Sequence, residues 1–186
     1  MTTNSKEAIL AAARLTAQAR GYGGLNFRDL AADVGIKAAS IYHHFASKAD
    51  LGAAVARRYW QDSAAALETL SEESPDPLAA LRRYPETFRK ALATGNRMCL
   101  CSFMAAEYDD LPDPVKTEVQ IFADVNVAWL GKTLAAAGIA NPEDSERRAL
   151  AIFAAIAGAQ LMARSRADIA VYDVLVDSFQ KASLLP

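Results

Sequence analysis

Apolar residues recur along the chain at the spacing of three and four residues that is typical of amphipathic helices. Ile9, Leu10, Ala13 and Ala17 form the first such stripe. Alanine, leucine, arginine and glutamate dominate the chain and favour helices, and glycine and proline separate it into helix-length pieces. No segment has the alternating pattern of a convincing strand. The pattern predicts an all-α protein of about nine helices.

Capping residues predict where several of these helices begin and end. Asn26 can cap the second helix, Gly35 can adopt the left-handed conformation that closes it, and Ser47 with Asp50 forms a capping box at the start of the fourth. Pro85 falls inside the fifth helix, which we expect it to kink. After a first helix that ends at residues 21–24, the predicted helices cover residues 27–34, about 38–45, 47–70, 78–94, 98–109, 113–137, 142–165 and 168–184.

Residues 21–51 carry the strongest functional signal, because a short turn containing Gly35 joins two short predicted helices there. Apolar residues have the spacing that would pack these two helices together and onto the first: Leu30, Ala31, Val34, Ile36, Ile41 and Phe45. The outward side of the third helix then holds Lys37, Ala38, Ala39, Ser40, Tyr42 and His43. Such a helix can enter the major groove of DNA with its N-terminal residues nearest the base edges.

The distribution of charge agrees with a nucleic-acid-binding segment. Residues 1–60 contain eight Lys or Arg and four Asp or Glu, a net charge of +4, whereas the remainder contains twelve and eighteen, a net charge of −6. A basic N-terminal third on an acidic body is typical of a DNA-binding head attached to a larger domain. Taken alone, the asymmetry could also arise by chance.

The same segment resembles the helix-turn-helix of the TetR family of transcriptional regulators. The matching residues are Gly21, Asn26, Leu30-Ala31, Val34-Gly35-Ile36, Ile41-Tyr42-His43-His44-Phe45 and Ser47-Lys48-Ala49-Asp50-Leu51. The resemblance implies a three-helix DNA-binding head over residues 1–50 and a helical body over residues 51–186 that binds an inducer and dimerises. It also implies a homodimer on a palindromic operator in double-stranded DNA.

The resemblance further implies which residues of the head contact DNA. Lys48, in the first turn of the fourth helix, is implied to contact phosphate, and Tyr42 and His43 to contact the DNA backbone. Arg28, at the start of the second helix, is a candidate for phosphate or base contact, with a solvated surface residue as the alternative. His44 is expected to be a partly buried support, with phosphate contact as the alternative.

Two positions depart from the family pattern. Lys37 stands where the family commonly has a small hydroxyl residue that caps the recognition helix, and Ala39 where it often has glycine. Loss of the cap should weaken that helix end by about 1 kcal/mol. Because alanines 38 and 39 form few hydrogen bonds, base readout is expected from Lys37 and Ser40, with Arg28 and Tyr42 as further candidates. The predicted DNA-binding set is Arg28, Lys37, Ala38, Ala39, Ser40, Tyr42, His43 and Lys48.

An inducer pocket is expected in the body, between the fourth and eighth helices. Such a pocket would be apolar with a few polar anchors, which favours a small hydrophobic or aromatic molecule. The predicted lining residues are Trp60, Phe88, Met98, Cys101, Met104, Tyr108, Phe122, Trp129 and Gln160. Ordinary core packing is the alternative for each of them.

The last two helices carry more apolar residues than one core stripe needs, which predicts a dimer interface. The candidates are Ala149, Ile152, Phe153, Ile156, Ala157, Gln160 and Leu161 on the eighth helix, and Ile169, Tyr172, Val176 and Phe179 on the ninth. A four-helix face made of two such pairs is what the resemblance implies, and a symmetric dimer fits a palindromic site. A single larger core within a monomer is the alternative.

Cys99 and Cys101 are one residue apart, so a helix would point them to nearly opposite faces and make them poor disulfide partners. A reducing, cytoplasmic setting is expected. Buried, inert cysteines are the default interpretation, and a thiol sensor of electrophiles or oxidants is the alternative. Apolar stretches such as residues 149–160 are well short of the roughly 20 residues that a membrane span needs.

Enzyme chemistry is not expected. Both histidines lie side by side in the helix-turn-helix, and the sequence lacks zinc-ligand spacing and a glycine-rich loop in a βαβ unit. Glu107, Asp109 and Asp110 are interpreted as a solvated acidic turn. No metal or cofactor is expected. The leading hypothesis is a ligand-responsive repressor that leaves its operator when an inducer binds; an activator and a helical interaction module that does not bind DNA are the alternatives.

Overall fold

The computed structural model describes the chain from residue 2 to residue 186, apart from the side chains of residues 2–4 and 142. This part of the chain forms nine α-helices and one 3₁₀ turn and contains no strand, which confirms the predicted all-α class. The helices are α1 (Thr2–Arg20), α2 (Phe27–Val34), α3 (Ala38–Tyr42), α4 (Lys48–Glu73), α5 (Pro77–Ala93), α6 (Leu100–Ala105), α7 (Asp113–Ala136), α8 (Pro142–Arg166) and α9 (Ile169–Lys181), with the 3₁₀ turn at Tyr108–Asp110.

The predicted caps of α2 and α4 are confirmed. Asn26 Oδ1 accepts hydrogen bonds from the backbone N–H groups of Arg28 (2.8 Å) and Asp29 (3.3 Å), and Gly35 closes α2 with φ at +74°. At the start of α4, the Asp50 N–H donates to Ser47 Oγ at 3.1 Å, and the Ser47 hydroxyl donates to Asp50 Oδ2 at 2.8 Å. These helix ends are therefore encoded by residues two or three positions apart.

Three predicted helices are shorter in the structure, and one of them is α9, which ends at Lys181 instead of residue 184. α3 ends at Tyr42, because the N–H groups of His44 and Phe45 both turn back to the Ile41 carbonyl at 2.9 Å and carry the Phe45 ring into the core. The helix predicted over residues 98–109 is divided into α6 and the 3₁₀ turn. Residues 106 and 107 form a turn between them.

The chain packs into two compact units. The first contains the chain up to Gln61 together with Leu100–Phe122, and the second contains Asp62–Cys99 together with Ala123–Pro186. In the first unit α6 packs against α1, and in the second α5, α8 and α9 pack against one another. The functional boundary expected between residues 50 and 51 stays a prediction, because packing alone does not define where DNA binding ends.

The burial pattern of α8 corrects the predicted dimer interface. Ala149, Ile152, Ile156 and Gln160 on α8 are completely buried within the single chain, as is Tyr172 on α9 at 1% exposure. Placing these five at the interface was therefore wrong, since they have no surface to offer a partner. A different stripe of α8 is exposed, and it consists of Leu150, Ala154, Gly158, Leu161 and Met162.

Among the helices that the structure describes, none has both the length and the hydropathy that crossing a membrane would require.

Candidate nucleic-acid interface

A concave surface of about 690 Å³ lies in the first unit, where the starts of α2, α3 and α4 meet. We call it the head cleft, and it is lined by Gly23, Leu25, Asn26, Phe27, Arg28, Ala38, Tyr42, Ser47 and Lys48. Four of the predicted DNA-binding residues are thus brought to one place: Arg28, Ala38, Tyr42 and Lys48. The N-terminal ends of α2 and α4 also border the cleft, and helix N-termini favour anions.

Lys48 is held in position at the edge of the head cleft. Its Nζ donates a hydrogen bond to the Gly23 carbonyl oxygen at 3.2 Å and lies 4.6 Å from the centroid of the Tyr22 ring. The ring face attracts the ammonium through a cation–π interaction. The positive charge is therefore kept near the α4 N-terminus instead of being spread over the many conformations of a solvated lysine.

Tyr42 and Arg28 present polar groups to solvent beside this lysine. Tyr42 is 60% exposed, although its ring packs edge-on against Phe27 with centroids 4.8 Å apart. The ring thereby has a fixed direction while its outer face stays accessible. The side chain of Arg28 is exposed, and its backbone N–H belongs to the cap of α2.

The remaining predicted DNA-binding residues lie on α3 or directly before or after it. Lys37, Ala39 and His43 are exposed and Ser40 is half-buried. Lys37 occupies the N-cap position of α3 with extended backbone (ψ 143°) and makes no side-chain cap hydrogen bond, which confirms the predicted loss of the cap. His44 is half-buried, as predicted.

Sequence reasoning missed Glu107. Its Oε2 accepts a 2.6 Å hydrogen bond from the Tyr22 N–H, and its Oε1 accepts a 3.0 Å hydrogen bond from the Gly23 N–H. The interpretation as a solvated acidic residue was therefore wrong for Glu107, whereas Asp109 and Asp110 are exposed. A glycine-rich loop with two N–H groups in need of acceptors was visible in the sequence, but nothing local pointed to an acceptor 85 residues away.

The sequence of the head matches a known family of bacterial regulatory proteins. Residues 9–55 match the family of bacterial regulatory proteins called tetR. The match runs from the apolar stripe of α1 through α2 and α3 into α4, and so contains all the residues that line the head cleft. The head of the chain therefore has the sequence of the TetR family over residues 9–55.

Solved TetR-family structures match nearly the whole chain. A transcriptional regulator from Agrobacterium tumefaciens is 28% identical, with 98% of each chain covered and a TM-score of 0.89. A TetR transcriptional regulator from Legionella pneumophila is 29% identical, with 95% of this chain and 96% of that chain covered and a TM-score of 0.89. A regulatory protein TetR from Rhodobacter sphaeroides, 21% identical with coverage of 94% and 96%, shares the fold with a TM-score of 0.86. No curated protein matches the sequence.

The predicted inducer residues are divided between the two units. In the first unit, Cys101, Met104 and Phe122 are buried in the core. Tyr108, by contrast, is 53% exposed on the 3₁₀ turn, with the Lys116 ammonium 4.5 Å from its ring centroid. Their ligand-binding role stays a prediction.

Trp60, another predicted inducer residue, belongs to an ionic cluster in the first unit. The Glu118 carboxylate accepts hydrogen bonds from Trp60 Nε1 at 2.7 Å, Arg57 Nε at 2.9 Å and Arg57 Nη2 at 2.5 Å. Burial raises the pKa of this carboxyl, but the hydrogen bonds from Arg57 and then Trp60 outweigh burial and keep the pKa of Glu118 below its ordinary value. The cluster joins α4 to α7, and it uses the polar atom of Trp60.

Gln160 is a polar cross-link inside the second unit of the regulator. Its Nε2 donates to the Phe88 carbonyl at 2.7 Å, and its Oε1 accepts from the Cys99 N–H at 2.8 Å. Both ends of the amide are therefore occupied, although the side chain is completely buried. Met98 and Cys99 are also buried, and both cysteines are free thiols with 1–2% exposure. This burial agrees with the default interpretation of the cysteines, and the alternative of a thiol sensor is untested.

Trp129, the last of the predicted inducer residues, lines a groove of about 330 Å³ in the second unit of the regulator. α4, α5, α7 and the loop between α4 and α5 form this Trp129 groove, which is lined by Glu68, Ser71, Ser74, Pro75, Asp76, Pro77, Ala80, Trp129, Lys132, Thr133 and Ala136. The Trp129 indole N–H donates to Ser71 Oγ at 3.0 Å and its ring stacks on Tyr84 with centroids 5.7 Å apart. These contacts fix the indole. Trp129 is only 6% exposed, so little of the side chain is accessible from the groove.

Proposed function

We propose that the protein is a transcriptional repressor that binds a palindromic operator as a homodimer and leaves it when a small hydrophobic molecule binds the second unit. The observation that carries the proposal is the head cleft, where Arg28, Tyr42 and Lys48 stand beside the N-terminal ends of α2 and α4. The match to the TetR family supports DNA binding, dimer formation and small-molecule binding in general.

The cleft has the chemistry of a phosphate-binding surface. Lys48 and Arg28 supply positive charge, the α2 and α4 N-termini add the positive ends of helix dipoles, and Tyr42 has an exposed phenolic face. Contacts of this kind position a protein on duplex DNA without reading its sequence. We expect base readout from the N-terminal residues of α3, where Lys37 and Ser40 can form hydrogen bonds with base edges.

The exposed stripe of α8 supports a homodimer. Leu150, Leu161 and Met162 are 51%, 56% and 45% exposed, and Val174 on α9 is 62% exposed. Apart from Gly158, its two neighbours and the adjacent α8 backbone, no heavy atom lies within 4 Å of the position that a Cβ on Gly158 would take, so a second helix can approach closely there. A second copy is the occupant that this face suits, because a two-fold dimer would present two recognition helices to a palindrome about one helical turn apart.

The Trp129 groove is our proposed inducer site. Its volume lies at the lower end of the range for ligand pockets. Its hydroxyl groups are already used: Ser71 and Ser74 donate to the carbonyls of Leu67 and Leu70, and Thr133 donates to that of Trp129. A small hydrophobic or aromatic inducer would be recognised by apolar contact with Trp129 and the flanking prolines, beside the charged residues Glu68, Asp76 and Lys132 that also line the groove.

Repression would be relieved by a population shift. The inducer would bind better to the form in which the two recognition helices are misplaced for the operator, and so would weaken operator binding. The operator must in turn weaken inducer binding by the same factor. Coupling energies of this kind are typically about 1–3 kcal/mol.

The test is selection of bound sequences from a random duplex library, followed by salt titration of the selected site. We expect enrichment of a palindrome, and loss of affinity for it in Lys37→Ala and Lys48→Ala. Lys181→Ala, which removes an exposed lysine paired with Asp177 on α9, is the matched control and should bind as wild type. Absence of enrichment, or equal affinity in all four proteins, would contradict the proposal.

A further inference from the structure

We infer that Glu107 is a positioning residue for Lys48, and that it acts through the loop over residues 21–24 that follows α1. The loop, Glu107 and Lys48 all belong to the first unit. The inference deepens the proposed function and rests on it, because it concerns how the phosphate-binding lysine of the head cleft is held.

Glu107 holds the loop by both carboxylate oxygens. Oε2 accepts from the Tyr22 N–H at 2.6 Å and Oε1 accepts from the Gly23 N–H at 3.0 Å. Hydrogen bonds to an ionised carboxylate are roughly twice as strong as neutral ones. The fit is close: a Cβ at Gly21 would overlap Oε2, and one at Gly23 would lie 3.1 Å from Oε1. Glycine at both positions is what lets the carboxylate approach the backbone.

The same two loop residues hold Lys48. The Gly23 N–H donates a hydrogen bond to Glu107, and the Gly23 carbonyl oxygen accepts a 3.2 Å hydrogen bond from Lys48 Nζ. Tyr22 donates its N–H to Glu107 and places its ring 4.6 Å from Lys48 Nζ. Each residue therefore contacts Glu107 on one side and Lys48 on the other. A displacement of the loop moves both partners of the lysine at once.

Packing leaves the Tyr22 ring little freedom to compensate. The tyrosine is 8% exposed, and a Cβ at Gly52 of α4 would lie only 2.7 Å from its Cε2 and 3.1 Å from Val115 Cγ2. Because Gly52 is one helical turn after Lys48, the ring lies directly against the helix that carries the lysine. The place of the ammonium is thus set by the loop, and the place of the loop by Glu107.

This role makes a prediction opposite in sign to that of simple electrostatics. Removing a negative charge near a DNA-binding surface should strengthen binding, because a repulsion is lost. Removing the support of Lys48 should weaken binding. Asp109→Asn is the matched control for Glu107→Gln, since Asp109 is an exposed carboxylate two residues away in the 3₁₀ turn. Glutamine retains one acceptor oxygen, but its amide group is a donor and cannot accept from the second N–H.

The experiment measures affinity for a mixed-sequence DNA duplex across a range of KCl concentrations. Lys48→Met should reduce the magnitude of the slope of log K against log salt by about one, since one phosphate contact is lost. Glu107→Gln should bind about three- to tenfold more weakly than wild type with a similarly reduced slope. Asp109→Asn should bind as well as wild type or better. The double variant with Lys48→Met should bind no more weakly than Lys48→Met alone.

A second readout needs no DNA. Because Lys48 Nζ lies 4.6 Å from the Tyr22 ring centroid, we expect the ring to displace the ε-methylene proton resonances of Lys48. Glu107→Gln should move these resonances toward the position of an exposed lysine, and Asp109→Asn should leave them in place. If Glu107→Gln fails to fold, Glu107→Asp replaces it, because aspartate keeps the charge and is too short by one carbon to reach both N–H groups.

The outcomes separate the two claims. If Glu107→Gln behaves as Asp109→Asn does, both in DNA affinity and in the Lys48 resonances, the positioning role is overturned. A wild-type protein that shows no salt-dependent binding contradicts the proposed DNA-binding function, and the Lys48 resonances still decide whether Glu107 positions the lysine.

Discussion

The backbone N–H of Tyr22 donates a 2.6 Å hydrogen bond to the carboxylate of Glu107, 85 residues further along the chain. The contact ties the loop after α1 to the turn after α6 within the first unit. The Glu107 carboxylate lies so near the backbone of the loop that a Cβ at Gly21 would overlap it, so this position requires glycine. The stability of the head and the placement of its phosphate-binding lysine thus depend on the same short loop.

Gly21→Ala should destabilise the protein more than Gly138→Ala does. Both glycines have φ at +67°, which costs an alanine roughly 1–2 kcal/mol. No heavy atom lies within 4 Å of a Cβ at Gly138, whereas a Cβ at Gly21 overlaps the Glu107 carboxylate. We expect Gly138→Ala to lose only the backbone cost, and Gly21→Ala to lose about 1–3 kcal/mol more because the Glu107 hydrogen bonds are broken. Urea denaturation measures both, and equal losses would contradict the overlap.

Lys37→Ser should stabilise the protein while weakening DNA binding. A serine at the N-cap of α3 can accept a hydrogen bond from the following turn, which lysine does not, and this is worth about 0.5–1 kcal/mol. Loss of the positive charge should reduce the salt slope of DNA binding by about one. Thermal unfolding and salt titration measure the two effects. Asn26→Ala, which deletes the cap of α2, is the control of opposite sign for stability. Unchanged DNA affinity in Lys37→Ser would remove Lys37 from the interface.

Glu118→Gln should destabilise the protein in a pH-dependent way. Since the pKa of Glu118 is lower in the folded state than its ordinary value, the carboxylate stabilises the fold above the unfolded pKa of about 4.3 and loses that contribution as the pH falls through the folded pKa. We expect a loss of about 1–3 kcal/mol in the free energy of unfolding at neutral pH, shrinking in acid.

Denaturation at a series of pH values tests the Glu118 prediction. The control is Glu7→Gln, because Glu7 pairs with Arg58 at 2.8 Å on the surface, where both side chains are about half exposed. That variant should change the free energy of unfolding by less than about 1 kcal/mol. A Glu118→Gln deficit that stays constant from neutral pH into acid would show that ionisation of Glu118 does not matter.

Leu161→Arg should dissociate the proposed homodimer. A charged side chain near the C-terminal end of the exposed α8 stripe would have to be buried without a partner at a two-fold interface. Sedimentation velocity should show a monomer for Leu161→Arg. Leu15→Arg, at a residue of α1 that is 47% exposed, should leave the dimer intact. A dimer in both variants would place the interface elsewhere.

Helix ends were the part of this fold most open to prediction, because their causes are local. The side chains of Asn26 and Ser47 accept from N–H groups two or three residues away, so their sequence context alone identifies them as caps. The end of α3 was predicted three residues too late, because burial of Phe45 decides it, and burial depends on what the rest of the chain provides.

The sequence by itself determined the helical class, the caps and the helix-turn-helix, since each depends on residues within a few positions of one another. Only the tertiary structure decided which face of α8 is buried, because apolar residues occupy so much of that helix that periodicity does not distinguish Ile152 from Leu161. It alone also decided the partner of Glu107. A carboxylate in an acidic turn has the same local pattern whether it faces water or two backbone N–H groups, and only the folded chain brings those N–H groups within hydrogen-bonding distance.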